Sequence, residues 1–398
     1  MYKTDWNSGQ PCSRNLVLRR AVLACVVLTA VAGTGHAQQV YVSGLEFPEK
    51  VITIPNGNLL VTETGSKPNT GRVTLVAPGG AIRTLVAGLP SGLSYPTTTD
   101  PDGTSGLFLS GRVLYIVNGE GDAFRAGTAP RTLVPNPQGI SSPILSSILR
   151  VTFDRDVDQY QAPFTLKPGD HFSLSLGNIV TLDDGSGKSA IFELVTKFPY
   201  TWPDPVTIYR NSHPFGATMH PAAPNTLFTV DAGMNLVWQT NATTGRTKVL
   251  ARFPNVPNVG AAGPPTKEAV PTSIKACGGL LLVSLLSGGP FAPYNASISA
   301  VNPITGENHT YIANLNAAID VECAARPSND PSFFVLEYSV NQGATPLPPG
   351  RVLRYDSPNP TVWLDGLNTP TSLALDESTG TAYIVSRSDG KILTAKYR

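Results

Sequence analysis

Charged side chains are scarce in this sequence, at 14% of 398 residues, and neither sign dominates, since the formal net charge is +1. Nucleic-acid binding depends mostly on neutralising phosphates with clustered Lys and Arg. The sequence contains no basic stripe interleaved with aromatic residues, so we expect no nucleic-acid partner. The nucleophile-elbow, phosphate-loop, H-E-x-x-H and dinucleotide fingerprints are absent as well. These absences exclude the enzyme classes that are recognised by such motifs.

The sequence has one long apolar run, "AVLACVVLTAVA", which starts at residue 21. Its 12 residues are too few to span a bilayer. Arg14, Arg19 and Arg20 precede it, and "GHA" follows it, which predicts a signal peptide over 1–37 with cleavage before Gln38. Removing residues 1–37 takes away four basic residues and one acidic residue, so the net charge falls from +1 to about −2. We expect a secreted, extracellular protein (periplasmic if the source is bacterial) with no transmembrane segment after cleavage. A lipid anchor at Cys25 is the less favoured alternative.

Short apolar strands that recur at regular intervals are the main positive signal. Turn-flanked first strands are visible as "PEKVITIP" (48), "PFGATMHP" (214), "PTSIKACG" (271), "AIDVECAA" (318) and "PTSLALDE" (370). A second strand follows each, as in "LLVTE" and "LFTVD", then a third and, in most units, a fourth. Four short antiparallel strands repeated at about 50 residues are typical of a propeller blade.

The repeat predicts an all-β fold: a six-bladed β-propeller of four-stranded antiparallel blades, formed as a single domain over 38–398. The start of the mature chain, "QQVYVSGL", would supply the missing fourth strand of the last blade and close the ring. Blade two carries an insertion at about 119–212, where "HFSLSLGNIV" and "SAIFELVTKF" are strand candidates without assigned partners. A seventh blade in that insertion is the alternative.

Two cysteines remain after the predicted cleavage, Cys277 and Cys323. A cysteine pair in an exported protein usually forms a disulfide. Both residues follow equivalent first strands, which predicts a bridge between neighbouring blades. Two separate buried thiols are the alternative.

Acidic residues end several second strands and precede turns. They could form a ring of carboxylates for a cation, but an acid before a turn more often accepts backbone N–H bonds. We therefore interpret them as structural turn caps: Glu63, Asp231 with Asn235, and Glu337.

The starts of the first strands carry a second polar set. Glu49, His213 and Asp320 are candidates for a mixed oxygen and nitrogen metal site, or for an acid–base set, in the channel. The alternative is ordinary polar lining of a water-filled channel. One divalent cation, Ca²⁺ or Zn²⁺, is therefore the only cofactor that the sequence suggests. "DPDGTSG" (100) and "DDGSGKSA" (183) look superficially like ion-binding or phosphate-binding loops, and we interpret both as turns.

The longest connections join second strands to third strands, which places them on one face of a propeller and predicts the binding surface there. Phe291, Tyr294 and Tyr338 would supply aromatic contact area on this face. Asn241, Asn295 and Asn308 lie in N-x-S/T sequons and are glycosylation candidates if the host modifies its secretory proteins.

Segments spread over nearly the whole mature chain resemble the ScyD/ScyE family of exported propeller proteins, associated with scytonemin biosynthesis. They are "GLEFPEKVITIPNGNLLVTETG", "HPFGATMHP" with "LFTVDAGMNLV", "VPTSI" with "LLVSLLSGGPF", "AAIDVEC" with "FFVLEYS", and "LNTPTSLAL" with "YIVSRSDGKI". The resemblance leaves out about 120–205. It implies a six-bladed propeller of the NHL-repeat and gluconolactonase-like superfamily, without a defined activity.

Gluconolactonase-like relatives hold a metal with Glu, Asn and Asp. Glu49 and Asp320 look like two of those positions, whereas the strand expected to carry the Asn reads "PFGAT" or "PTSI". The sequence therefore favours a non-catalytic binding or scaffold module that acts, as a monomer, through its long-loop face. A metal-dependent hydrolase of lactonase type is the alternative, and an extracellular matrix or cell-surface interaction protein is a third.

Overall fold

A computed structural model describes residues 38–94, 100–126, 133–199, 201–203, 209–258, 265–324 and 332–398. All of these fall within one compact unit, Gly35–Arg398. The predicted signal peptide lies outside the described residues. The described strands form six antiparallel blades, which confirms the predicted six-bladed propeller and leaves no seventh blade among them.

Four of the blades have four strands each. Blade three consists of Pro214–His220, Ala223–Asp231, Leu236–Asn241 and Thr247–Arg252. Blade four consists of Pro271–Cys277, Leu280–Leu285, Ala296–Val301 and Asn308–Leu315. Blade five consists of Ala318–Ala324, Ser332–Glu337, Gly350–Tyr355 and Thr361–Leu367. Blade six consists of Pro370–Asp376, Thr381–Ser386, Lys391–Lys396 and the N-terminal strand Gln39–Ser43.

The N-terminal strand closes the ring, as predicted. It pairs antiparallel with the last strand of the chain, with Val40 opposite Leu393 and Val42 opposite Ile392. The first and last blades in the chain are thereby joined by backbone hydrogen bonds, and the edge that the last strand would otherwise expose is covered.

Blades one and two carry the additions. Blade one consists of Pro48–Thr53, Leu59–Glu63, Gly71–Val76 and Ile82–Leu89, with the short strand Phe164–Thr165 added in parallel at its outer edge. Blade two consists of Pro101–Ser110, Val113–Asn118, Ser147–Phe153, Ser189–Lys197 and Val180–Asp183, with Ser91–Leu93 paired to the start of its first strand. Short hairpins join Phe124–Ala126 to Leu133–Pro135, Thr201–Pro203 to Tyr209–Asn211, and Val256–Pro257 to Thr266–Lys267. Pro55–Gly57 and Val157–Gln159 are short 3₁₀ turns.

The extra length at 119–212 is divided among three connections of blade two and does not form a separate module. "SAIFELVTKF" is the fourth strand of that blade, paired with Ser147–Phe153. The strand interpretation of "HFSLSLGNIV" was wrong for its first half, which belongs to an α-helix over Pro168–Ser175. Pro168 at the first helical turn and Asp170, whose carboxylate accepts the Lys167 N–H at 2.7 Å, start this helix.

Packing between neighbouring blades accounts for the core. The described residues contain six buried apolar clusters, and each cluster fills one interface between two adjacent blades. Each blade therefore buries both of its faces only because it has a neighbour on each side, which is why the repeat must close into a ring.

A repeated backbone arrangement shapes the channel mouth. The same backbone hydrogen bond recurs in every blade. Its donor is the N–H of the residue directly after the second strand. Its acceptor is the carbonyl of the residue directly before the first paired residue of the first strand. We call these six acceptors the mouth ring: Phe47, Gly103, His213, Val270, Ala317 and Thr369. Each first strand then has a β-bulge directly after its first paired residue. Bulges re-aim side chains, and here they do so at the same depth in all blades.

Cys277 and Cys323 form the predicted disulfide, with a Cα–Cα distance of 6.3 Å. The bridge joins the ends of the first strands of blades four and five. In the part of the chain that the structure describes, no helix combines the length and apolarity required of a membrane span.

Candidate functional site

Beyond the bulges, equivalent residues of the six first strands form one layer of the channel. One residue from each strand occupies this channel layer: Lys50, Gly106, Gly216, Ser273, Asp320 and Ser372. Gly106 has no room for a side chain, since an added Cβ would lie 2.7 Å from the carbonyl oxygen of Phe215.

Asp320 is the acceptor at the centre of the channel layer. Lys50 Nζ of blade one lies 2.7 Å from its Oδ2, and Ser372 donates to the same oxygen at 3.1 Å. Ser273 and the backbone N–H groups of Val321 and Leu373 also donate to this carboxylate. Only 1% of the Asp320 side chain is exposed, so this carboxylate is shielded from solvent.

Glu49 lies in a different contact set, at the bulge of blade one. Arg387 of blade six donates to Glu49 Oε2 at 2.8 Å, to Asp100 Oδ1 at 2.9 Å and to the carbonyl oxygen of Pro101 at 2.7 Å. The guanidinium also stacks 5.3 Å from the ring centre of Phe47. Arg387 therefore joins the mouth-side connections of blades six, one and two through a planar fork of donors.

His213 belongs to a third set, on the mouth between blades two and three. One carboxylate oxygen each from Asp102 and Glu120 and one imidazole nitrogen of His213 lie within 4.8 Å of one another. His213 Nε2 is 3.4 Å from Asp102 Oδ1 without hydrogen-bond geometry, and the two groups form an ion pair when the imidazole is protonated. Glu120 Oε2 is buried and has no hydrogen-bond partner among the described residues. A buried polar atom without a protein partner is unfavourable unless a ligand or an ordered water satisfies it.

Backbone geometry holds Asp102 in place. Its Oδ1 accepts the Gly103 N–H at 2.7 Å, and its Oδ2 accepts the Gly121 N–H at 2.9 Å. Gly119, between Asn118 at the strand end and Glu120, leaves the necessary space: an added Cβ would lie 2.8 Å from Asp102 Oδ1 and 3.2 Å from the imidazole of His213. Only glycine fits at this position without displacing the cluster.

The three groups perturb one another electrostatically. Burial raises the pKa of Glu120, and the neighbouring carboxylates of Asp102 and Asp231 raise it further against the opposing effect of His213. Burial by itself lowers the pKa of His213, but the surrounding carboxylates, Asp102 foremost, outweigh it and raise that pKa. The pKa of Asp102 is lowered because His213 and two backbone N–H groups more than offset its burial.

The acids at the ends of second strands, interpreted above as turn caps, are held by several donors each. Asp231 accepts from the backbone N–H groups of His213 at 2.8 Å and Met234 at 3.0 Å, and from the side chains of Ser212 and Trp238. Asn235 accepts the N–H of Val270 at 2.8 Å.

Glu63 and Glu337 have matching environments in blades one and five. Each accepts a backbone N–H from the segment before the first strand of its own blade, and each pairs with an Arg directly opposite on the third strand. The distances from Arg72 Nη2 to Glu63 Oε2 and from Arg351 Nε to Glu337 Oε2 are both 2.5 Å.

The aromatic residues predicted for the loop face fall into two places. Phe291 and Tyr294, in the connection of blade four, are 36% and 68% exposed. The same connection approaches Gly343 of blade five, where an added Cβ would lie 2.9 Å from the carbonyl oxygen of Pro290. Tyr338 is half-buried, and burial raises its pKa although Arg387 opposes this. It therefore lies beside the Arg387 set.

The predicted glycosylation acceptors remain predictions. Asn308 is exposed, while Asn241 and Asn295 are half-buried. Asn241 Oδ1 accepts the backbone N–H groups of Thr243 and Thr244, at 3.1 Å and 2.8 Å.

The structure therefore places Glu49, His213 and Asp320 in three separate contact sets. By register, Asp320 is equivalent to Lys50, whereas His213 precedes its first strand and is equivalent to Phe47. A metal site formed by these three residues remains a prediction from the sequence.

Sequence reasoning missed two residues of the cluster around His213. Asp102 lies in "DPDGTSG", which was interpreted as a turn, but residues 101–106 are in the first strand of blade two. Glu120 lies in "NGEGD", at the start of the long connection of that blade. The sequence signal that points to them is a pair of acid-glycine steps. Asp102-Gly103 lies near the start of the first strand of blade two and Glu120-Gly121 lies just after its second strand, at the same end of the two paired strands.

Comparisons with known proteins add little beyond this geometry. No protein-family model matches the sequence, and no curated protein matches it. Among solved structures, a streptogramin B lyase aligns with a TM-score of 0.46 at 13% identity, over 90% of this chain and 97% of that one. Virginiamycin B lyase from Staphylococcus aureus aligns with a TM-score of 0.45 at 13% identity, over 91% and 99%. The PQQ-bound aldose sugar dehydrogenase from Streptomyces coelicolor gives 0.45 at 13%, over 90% and 98%. Similarities at this level assign neither a family nor a function, and the ScyD/ScyE resemblance remains a prediction.

Proposed function

We propose that this protein is an exported, non-catalytic binding module whose ligand site is the channel mouth on the long-loop face, and that the ligand is positively charged. The observation that carries the proposal is the buried oxygen of Glu120, which has no hydrogen-bond partner among the described residues. An ionised carboxylate accepts hydrogen bonds or binds a cation, and it donates no hydrogen bond. An anionic ligand therefore does not suit it.

The charge balance at the mouth agrees with a cationic ligand. Within the described ranges, five carboxylates gather around the mouth of blades one, two and three: Glu49, Asp100, Asp102, Glu120 and Asp231. Arg387 and His213 are the cations that act on them most strongly, and the donors of Arg387 on Nε, Nη1 and Nη2 are already engaged. A cleft lined by one sign of charge attracts ligands of the opposite sign.

The channel layer supports placing the ligand at the mouth. Asp320 already has a full set of donors in the channel layer, so a cationic ligand that enters from the loop face finds its unpartnered carboxylate oxygen at the mouth, on Glu120. The contact between the long connections of blades four and five, and the link from Arg387 to Asp100, gather these connections around the same opening.

Binding of small charged probes tests the proposal. Titration calorimetry with putrescine and spermidine, with citrate as the anion control, should detect binding of the cations only, and the affinity should fall as salt increases. E120Q and D102N should each weaken cation binding, while E307Q, at an exposed glutamate of blade four, should leave it unchanged. Binding of citrate in preference to all cations, including divalent metal ions, would show that the proposal is wrong.

A metal-dependent hydrolase is the second candidate, favoured by the mixed carboxylate and imidazole donors of the cluster around His213. A panel of lactones and aryl esters, assayed with chelator-treated and Zn²⁺-supplemented protein, distinguishes the two functions. Turnover that requires Zn²⁺ and is lost in E120Q but kept in E307Q would favour the enzyme; absence of turnover with every ester would favour the binding module.

A further inference from the structure

We infer that Asp102, Glu120 and His213 form a binding site for one divalent transition-metal ion of the Zn²⁺ type. This inference rests on the proposed function, because it names the chemical class of the cationic ligand. It concerns a different set of residues from Glu49, His213 and Asp320, and it rests on the contacts around the mouth ring.

The donor atoms are of the right kind. Two carboxylates and one imidazole match the oxygen and nitrogen donors that bind Zn²⁺, at bond lengths of about 2.0–2.2 Å. Ca²⁺ prefers six to eight oxygen donors, and an imidazole nitrogen is a poor substitute for one. The set therefore favours a first-row transition ion over Ca²⁺.

The spacing is close to that of a metal site. Ligand atoms around one Zn²⁺ ion lie about 3–4 Å apart, given those bond lengths. The three donor atoms here lie within 4.8 Å of one another, and the distance between His213 Nε2 and Asp102 Oδ1 is 3.4 Å.

Two of the donor atoms make no hydrogen bond that a metal ion would have to replace. His213 Nε2 and Glu120 Oε2 are both buried, and neither has a hydrogen-bond partner among the described residues. Glu120 itself is 7% exposed. Zn²⁺ binding would displace the proton of the imidazole into solvent, and Nε2 and the Glu120 oxygen would then each contribute a lone pair to the same centre.

Supporting contacts fix the ligands as they do in established metal sites. The N–H groups of Gly103 and Gly121 hold Asp102, and Asp231 accepts the backbone N–H of His213. Trp238 in turn holds Asp231 at 2.9 Å. Such outer contacts orient metal ligands and strengthen their affinity.

The direct test uses Zn²⁺ alone on the mature, disulfide-intact protein without an affinity tag, after removal of metals with a chelator. Calorimetry and elemental analysis should give one tightly bound Zn²⁺ per chain, with Ca²⁺ binding at least about 100-fold more weakly. E120Q and H213Q should each lower the Zn²⁺ affinity by about 100-fold or more. E307Q and H309Q, at exposed positions of blade four, are the matched controls and should bind as the wild type does.

X-ray absorption on the Zn²⁺-loaded wild type keeps the test independent of how the variants fold. We expect one imidazole and otherwise oxygen neighbours around the ion. Two or more imidazoles, a sulfur neighbour, unchanged affinity in E120Q, or no saturable Zn²⁺ binding would each overturn the inference. If Zn²⁺ fails to bind but putrescine binds and E120Q weakens it, the metal site is wrong and the proposed function stands; if neither cation binds, both are wrong.

Discussion

Two buried acids of this propeller, Asp320 of blade five and Glu120 of blade two, have opposite surroundings. Asp320 in the channel layer accepts from Lys50, two serines and two backbone N–H groups. Glu120 at the mouth leaves one buried oxygen with no partner among the described residues. A satisfied acid fixes the position of strands, whereas an unsatisfied one is retained at a cost in stability. Burial alone therefore does not distinguish a functional acid from a structural one. The distinguishing feature is a buried carboxylate oxygen without a hydrogen-bond partner.

The largest expected effect comes from breaking the satisfied set. D320N leaves the Lys50 ammonium without its counter-charge and presents an amide to several donors. We expect the free energy of unfolding to fall by about 3 kcal/mol, at the low end for a buried pair because Lys50 is partly exposed. Urea denaturation measures it. D156N, in an exposed pair with Arg112, is the control and should change stability by less than about 1 kcal/mol. Equal effects of the two variants would contradict the structural role of Asp320.

The second effect concerns the fork that joins blades six, one and two. R387K cannot reach Glu49, Asp100 and the Pro101 carbonyl together, so we expect a loss of about 2 kcal/mol. R112K serves as the matched surface control, because the Arg112–Asp156 pair is exposed on both sides. A melting temperature for R387K equal to that of R112K would show that the fork does not hold the mouth together.

The pH dependence of stability provides a second test of the structural role of Asp320. Burial alone would raise the pKa of Asp320, but Lys50, Ser273 and the Leu373 N–H outweigh it, so the pKa in the folded protein is lowered. A lowered carboxyl pKa stabilises the fold above the unfolded value of about 3.9, and that stabilisation is lost as pH falls through the folded pKa. The stability difference between wild type and D320N should therefore be constant near neutral pH and should shrink below about pH 4. Urea midpoints at several pH values test this; a difference that grows toward acid has the wrong sign.

The smallest expected effect has the opposite direction. E120Q replaces a buried carboxylate by a neutral group of the same shape, so we expect the metal-free protein to become more stable by about 1 kcal/mol. E307Q, at an exposed position, should change nothing. Functional sites often trade stability in this way. Destabilisation of E120Q comparable to that of D320N would remove the distinction between the two acids.

Most of the fold could be predicted from the sequence, because each blade repeats the same strand and turn pattern and the ring needs the N-terminal strand to cover an edge. The exceptions have local physical causes. "HFSLS" alternates like a strand, but Pro168 and Asp170 start a helix there. "DPDGTSG" has the composition of a turn, yet it enters the first strand of blade two.

The candidate site was less predictable because it depends on register. Each first strand has a bulge after its first paired residue, which separates Glu49 and His213 from the level of Asp320. Residue spacing alone does not reveal a bulge, so three residues at similar positions in the sequence were grouped although they lie in different sets. Asp102 and Glu120 are brought to His213 by contacts between blades two and three, which no local pattern encodes.

Anomalous diffraction from crystals of the wild-type protein soaked in Zn²⁺ would show directly whether the mouth binds the ion. We expect one strong peak at the mouth, within bonding distance of carboxylate oxygens of Asp102 and Glu120 and of the imidazole of His213, and no ion in the channel layer beside Asp320. A peak beside Asp320, or a mouth without zinc while the ion occupies other surface positions, would contradict this expectation.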